Sequence, residues 1–161
     1  MGNWAIEKKA AATLILLLLG AGYLAGLANL ALTVGLKPED VKSRYMAKPP
    51  AQGLEFLLDQ TEQVSREKLA HIAHAHMIPY TLVFALCSFF VVHFRWAAWA
   101  KIIFLTAFAL SIPMDFLAMA LTRYVYSFFY ILILASGAVF GSCLASTILW
   151  SMGELWLFSK K

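Results

Sequence analysis

The chain reads as an all-α integral membrane protein, a four-helix bundle, on three observations. Its 161 residues are 61% hydrophobic and only 14% charged, where an ordinary soluble domain carries about a quarter charged residues. Its mean hydropathy is +0.74. Four apolar runs, approximately 10–36, 69–94, 97–122 and 125–150, each exceed the ~20 residues a helix needs to cross ~30 Å of hydrocarbon. Backbone groups in lipid must be hydrogen-bonded internally, so each run is expected to be a helix. No internal repeat, low-complexity tract or second domain is visible, and residues 1–161 are expected to form one transmembrane unit.

The first run follows Lys8 and Lys9 and reaches small residues at Gly20–Gly22, the outline of a cleaved signal peptide. The apolar stretch continues past that point to Val34, so it is expected to be a retained helix. It carries Gly22-xxx-Gly26, and the fourth run carries Gly137-xxx-Gly141. Small residues four apart let helix backbones approach closely in membranes. These faces are therefore expected to pack within the bundle, or to join the chain to a second copy or a larger membrane complex.

Between the first and second runs lies the one sizeable extramembrane segment, 37–68. Lys37-Pro-Glu-Asp reads as a helix start, with proline and acidic residues in the first turn. Pro49-Pro50 then breaks the chain. Leu54, Leu57, Leu58, Thr61 and Val64 follow at helical spacing, opposite Glu55, Asp59, Glu62 and Arg66, as in an amphipathic segment lying in the interface plane or capping the bundle.

The second run opens with three of the four histidines, His71, His74 and His76, and then Pro79. If the helix is regular from residue 70, His71 and His74 share a face and His76 points away, in line with Tyr80. If the helix instead starts or kinks at Pro79, which removes an amide and restricts the residue before it, His74 and His76 can face together. The fourth histidine, His93, lies beside Arg95 and Trp96 and is expected to be interfacial. Trp4, Trp96, Trp99, Tyr124, Tyr126, Trp150 and Trp156 fall near run ends, as a headgroup belt requires.

The third run places Asp115 after Pro113 and eight residues before Arg123, roughly 12 Å from the helix end at 1.5 Å per residue. His76 is roughly 9 Å in from the start of its own helix by the same measure. Asn29 on the first helix and Tyr126 and Tyr130 on the fourth fall at similar depth. Four helices thus each offer a polar group to one leaflet. Ionisable groups inside a bilayer are costly and usually mark a site.

Orientation follows from the lysines and arginines near helix ends. With both termini cytoplasmic, short inner segments hold Lys8, Lys9, Arg95, Lys101, Lys160 and Lys161. Arg123 and six basic residues spread over the 37–68 loop lie outside, and the polar groups fall in the outer leaflet. The net charge of +4 is then a topology signal, and nothing offers the solvated basic face of a nucleic-acid binder. Cys87 and Cys143 sit inside runs, without the spacing of a dithiol or a c-type haem motif.

Three chemistries suit the polar leaflet. A b-type haem or a quinone would make the protein a redox, electron-transfer subunit, with His74, His76, Tyr80, Asp115, Asn29 and Tyr130 around the cofactor. Imidazole ligates haem iron, whereas a quinone needs only groups that exchange protons with its ring oxygens. Every clustered histidine is on one helix, which disfavours two bis-histidine haems. Alternatively His71, His74, His76 and Asp115 could hold zinc, copper or iron for transport, sensing or assembly. The inner half, with Cys87, Ser88, Thr106, Cys143, Ser146 and Thr147, is thin for an ion path. In the third reading the histidines are merely interfacial, and the chain is a cofactor-free accessory subunit. No nucleophile, base and oxyanion set is present, so a soluble-type enzyme is not expected, and an electron-transfer or accessory subunit is favoured over a catalytic one.

Three stretches carry a resemblance. They are Lys37-Pro-Glu-Asp-Val-Lys-Ser-Arg-Tyr45, Ala70-His-Ile-Ala-His-Ala-His-Met-Ile-Pro79, and Ser136-Gly-Ala-Val-Phe-Gly-Ser142 with Met152-Gly-Glu-Leu-Trp156. Together they resemble small, uncharacterised four-helix inner-membrane proteins of bacteria. The resemblance implies a multi-pass protein of the bacterial inner membrane in a respiratory or multihaem-cytochrome setting.

Overall fold

A computed structural model describes residues 1, 4–35, 37–46 and 66–157. The described chain is helical: α1 (Ile6–Thr33), α2 (Pro38–Met46), α3 (Arg66–Val92), α4 (Ala98–Tyr124) and α5 (Tyr130–Met152). A 3-10 turn, Ser127–Phe129, leads into α5, and a π-helical turn, Gly153–Leu157, ends it. Among the described residues, four segments are long and apolar enough to cross a membrane: Ile6–Thr33, Ala70–Val92, Ala98–Tyr124 and Ser127–Leu157. The protein is a multi-pass, all-helical membrane protein. One face of the bundle carries the start of α1, the α3–α4 connection and the π turn, and is called here the terminal face. The opposite face, where α1 gives way to α2 and α4 to α5, is called the loop face.

The connections show why the helices stop where they do. Gly35 follows α1 with a φ of 96°, which a residue with a Cβ rarely adopts. The Asp40 carboxylate also occupies the space that a Cβ on Gly35 would need. The same carboxylate accepts from the Lys37 amide at 3.2 Å and so helps to start α2. α2 begins at Pro38, as the sequence predicts, and buries Val41. The expected amphipathic stretch 54–64 and the Pro49-Pro50 break lie outside the described residues. At the terminal face the Lys101 ammonium donates to the Val92 carbonyl at 2.8 Å, satisfying an acceptor that the last turn of α3 leaves open.

Packing is uneven along the bundle. One core cluster, Ala12, Leu16, Phe90, Val91, Phe94 and Leu155, sits near the terminal face. A second, Cys87, Phe108, Cys143 and Leu144, lies deeper, with Tyr23, Phe84 and Phe140 against it. α1 takes part only as far as Tyr23, and residues 24–33 are all exposed. The half of the bundle nearer the loop face is therefore opened along α1, and the polar site lies in that half.

The glycine faces divide in consequence. At Gly141 a Cβ would collide with the Tyr23 hydroxyl, so this glycine lets α1 dock closely on α5. Gly22, Gly26 and Gly137 have nothing within 4 Å of where a Cβ would stand.

Candidate functional site

α3 is continuous through Pro79. Its amide-less proline sits inside the helix rather than at its start, so residues 71–78 form no turn or extended strand. At 100° per residue, His74 and His76 then lie on nearly opposite sides of α3, while His76 and Tyr80 share one. This settles the alternative that the sequence leaves open.

The site forms around Asp115, which α4 carries one turn beyond the buried Ser111. The Ser136 hydroxyl, on α5, lies 3.0 Å from Asp115 Oδ1 and 3.0 Å from the Ile133 carbonyl. A hydroxyl has one proton to donate, so Ser136 serves either the carboxylate or its own helix. Asp115, Ser136, Tyr80, Gly137 and Phe140 line a cavity of about 40 Å³. At ~10–15 Å³ for each water, that is room for roughly two or three.

Tyr80 is the aromatic centre of this wall. Its ring centroid lies 4.9 Å from that of Phe140 and 6.2 Å from that of Phe116. His76 stacks on its other side at 5.9 Å, with an interplanar angle of 25°. Tyr80 lines the cavity together with Asp115, and His76 adjoins it through the Tyr80 ring. Gly137, exposed and without a side chain, leaves the cavity open beside them. On the other side of the α4–α5 seam runs an apolar groove of about 260 Å³, lined by Leu110, Met114, Leu132 and Val139 among others, and it shares Ser136 with the cavity.

The structure thus brings together three of the expected residues, His76, Tyr80 and Asp115. His71 and His74 lie exposed on α3 and do not line the cavity. Asn29 lies on the exposed end of α1, where its carbonyl accepts from Thr33 at 2.8 Å. Tyr130, half-buried at the start of α5, is not part of the cavity lining either. Among the described residues no three His, Cys, Asp or Glu side chains come together as a group able to hold a metal ion.

Ser136 and Phe140 complete the site, although as single residues they read as helix packing. Their spacing is a usable signal: Ser136, Gly137 and Phe140 fall at i, i+1 and i+4, on one side of α5. A second polar feature was hidden by a π turn. Glu154 is 2% exposed, with its Oε2 3.5 Å from Nε of Arg95. A helix drawn only to residue 150 leaves Glu154 beyond the membrane.

The chain belongs to the Aq_1264_TM family, a transmembrane helical domain, whose profile matches residues 35–161. The match takes in α2 to α5, the Asp115 cavity and the Arg95–Glu154 pair, and α1 precedes it. No curated protein and no solved structure matches the chain significantly.

Proposed function

We propose that the protein is a membrane redox subunit whose Asp115 exchanges protons with a quinone held beside Tyr80. The observation that carries this reading is a carboxylate inside a membrane helix, hydrogen-bonded by Ser136 at 3.0 Å in a small cavity that opens to the side at Gly137. An ionisable group at such depth is costly unless it is used. The aromatic rings of Tyr80, Phe140 and Phe116 suit a planar headgroup. The cavity's opening at the exposed Gly137 gives an isoprenoid chain a way out towards lipid. A hydroquinone bound there would give two electrons to an acceptor outside this chain and release two protons, of which Asp115 would take one and water at the loop face the other. His76, stacked on Tyr80, is the next group towards the loop face.

A b-type haem has less support from the same geometry. His71, His74 and His76 are exposed on one helix, and only His76 adjoins the cavity, through the Tyr80 ring. Bis-histidine haem ligation, or a metal site of three such ligands, would draw on groups beyond the described residues. An accessory role, in which α1 docks on a larger membrane complex or a second copy, draws on one specific observation: the open space at Gly22 and Gly26. In all these readings the protein resides in a bacterial inner membrane with the terminal face cytoplasmic, following the charge asymmetry of short segments.

The test is binding of a short-chain benzoquinone or naphthoquinone to the purified protein in liposomes, with Asp115→Asn and Tyr80→Phe alongside. Reduced-minus-oxidised spectra and metal analysis are taken on the same sample. Saturable binding that weakens at least tenfold in Asp115→Asn supports the proposal. Identical, non-saturating partition in all three proteins refutes it. A Soret band with stoichiometric iron would move the assignment to haem.

A further inference from the structure

α5 carries a second run of buried polar side chains that the Asp115 cavity does not use. Cys143, Thr147, Ser151 and Glu154 are 8%, 0%, 0% and 2% exposed. At 100° per residue they fall, with Ser136, within about 80° of arc. Ser142 and Ser146 lie on the exposed side. The upper part of this line is satisfied. The Thr147 hydroxyl donates to the Cys143 carbonyl at 2.8 Å.

Nearer the terminal face it is not. Ser151 Oγ and Glu154 Oε2 are buried and find no hydrogen-bond partner among the described residues. Buried polar atoms are almost always partnered, by protein or by ordered water. Two such atoms one helical turn apart are what a bound water bridges. The turn that carries Glu154 is π-helical, a form that recurs at functional sites. Arg95, 58% exposed, connects Glu154 to the aqueous face. Its cation disfavours a metal ion there and leaves water and protons as the occupants.

Towards the loop face the polar line stops at aromatic rings. Phe108 is fully buried and packs edge-on against Phe84 at 5.5 Å and Phe140 at 5.1 Å. Phe140 falls between Ser136 and Cys143, which are seven residues or roughly 10 Å apart along α5, and Phe108 and Phe84 extend it across α4 and α3. The two carboxylates thus stand on opposite sides of an aromatic plug.

We propose that Thr147, Ser151 and Glu154 line a water-holding half-path, open at Arg95 on the terminal face and closed at Phe108. Water entering at the Arg95 rim donates to Glu154 Oε2 and hydrogen-bonds Ser151 Oγ, and no covalent bond is made or broken. The plug keeps this water separate from the Asp115 cavity, so the half-path stands on its own geometry and does not depend on the quinone reading.

Silver ion, which travels through water and reacts with thiols, tests the half-path directly. The full chain carrying Cys87→Ala and Cys143→Ala is placed in sealed vesicles, and Ser151→Cys, Leu144→Cys and Ser136→Cys are compared in that background. Modification is scored as protection from alkylation after unfolding. Ser151→Cys is expected to react at least tenfold faster than Leu144→Cys, and only from the side of the termini. Adding Glu154→Leu is expected to slow it at least tenfold. Ser136→Cys is expected to react only from the opposite side. A Ser151→Cys as slow as Leu144→Cys overturns the half-path, as does access to Ser151→Cys and Ser136→Cys from the same side. If Ser151→Cys does not insert, Thr147→Cys takes its place under the same criteria. The quinone reading fails separately, by loss of any Asp115-dependent binding, so the two failures are distinguishable.

Discussion

Replacing Arg95 by alanine leaves Glu154 as a buried carboxylate with its nearest cation removed, and the cost follows from the geometry. At 3.5 Å, two unit charges attract by about 1 kcal/mol in water and about 5 kcal/mol at an effective dielectric of 20. Glu154 is almost fully buried, whereas Arg95 is 58% exposed, so solvent screens the pair and the upper figure does not apply. The expected loss for Arg95→Ala is therefore about 1–3 kcal/mol, below the ~3–5 kcal/mol of a fully buried pair. Glu154→Leu behaves differently. It replaces the carboxylate by an apolar group of similar volume and leaves Arg95 with water, a change that is often neutral or stabilising. The double variant should match Glu154→Leu alone, because the penalty comes from the stranded carboxylate. Unfolding of the detergent-solubilised protein, followed by tryptophan fluorescence, reads all three, since Trp96 and Trp150 pack together beside this end at 5.4 Å. If Glu154→Leu costs as much as Arg95→Ala, or the two losses add in the double variant, the stranded-charge argument fails.

Further outcomes follow from the other sites. Ser136→Ala removes the one described hydrogen bond to Asp115; it should weaken quinone-analogue binding less than Asp115→Asn, because the carboxylate remains. Gly141→Val should loosen α1 from α5, since even a Cβ meets the Tyr23 hydroxyl. Gly137→Ala, with open space at its Cβ, should leave stability within about 0.5 kcal/mol of wild type while narrowing the cavity. Thermal unfolding of both glycine variants, with quinone titration of the second, separates packing from access. His71→Ala and His74→Ala, at exposed positions, should leave both stability and quinone-analogue binding unchanged; a loss of binding in either would move the site along α3.

The fold was legible because membrane helices announce themselves by length and hydropathy, the constraint that lipid imposes on unpaired backbone. The histidine cluster was legible as a location, but its facing was not. α3 runs unbroken through Pro79, so His71 and His74 share one face while His76 lies on the side of Tyr80. Proline's local preferences favoured a start or kink at that point. They do not forbid a helix that continues, because neighbouring helices and local adjustment can satisfy the freed carbonyl. Asp115 was legible because a carboxylate in an apolar run has no bland composition to hide in. Ser136 was not, since a serine among glycines and alanines reads as close packing until a partner from another helix faces it.

Glu154 was obscured for a different reason, and that reason bears on how the molecule works. Apolar composition locates the middle of a membrane helix better than its ends, and a π turn extends α5 to Leu157, past the limit at residue 150 that hydropathy suggests. The extension sets Glu154 under the rim of the bundle instead of beyond it. An α-helix would gain nothing from placing four polar side chains at 143, 147, 151 and 154 on its buried arc if packing were their only purpose. Leucine and alanine fill such positions without polar atoms to satisfy, and burying an unpaired polar group costs about 1–3 kcal/mol. Thr147 avoids that cost by bonding back to Cys143, and Glu154 offsets part of it through Arg95 at 3.5 Å, while Ser151 Oγ and Glu154 Oε2 find no hydrogen bond within the described protein. Packing and pairing therefore account for the upper half of the line, and water entering under Arg95 is what satisfies the lower half.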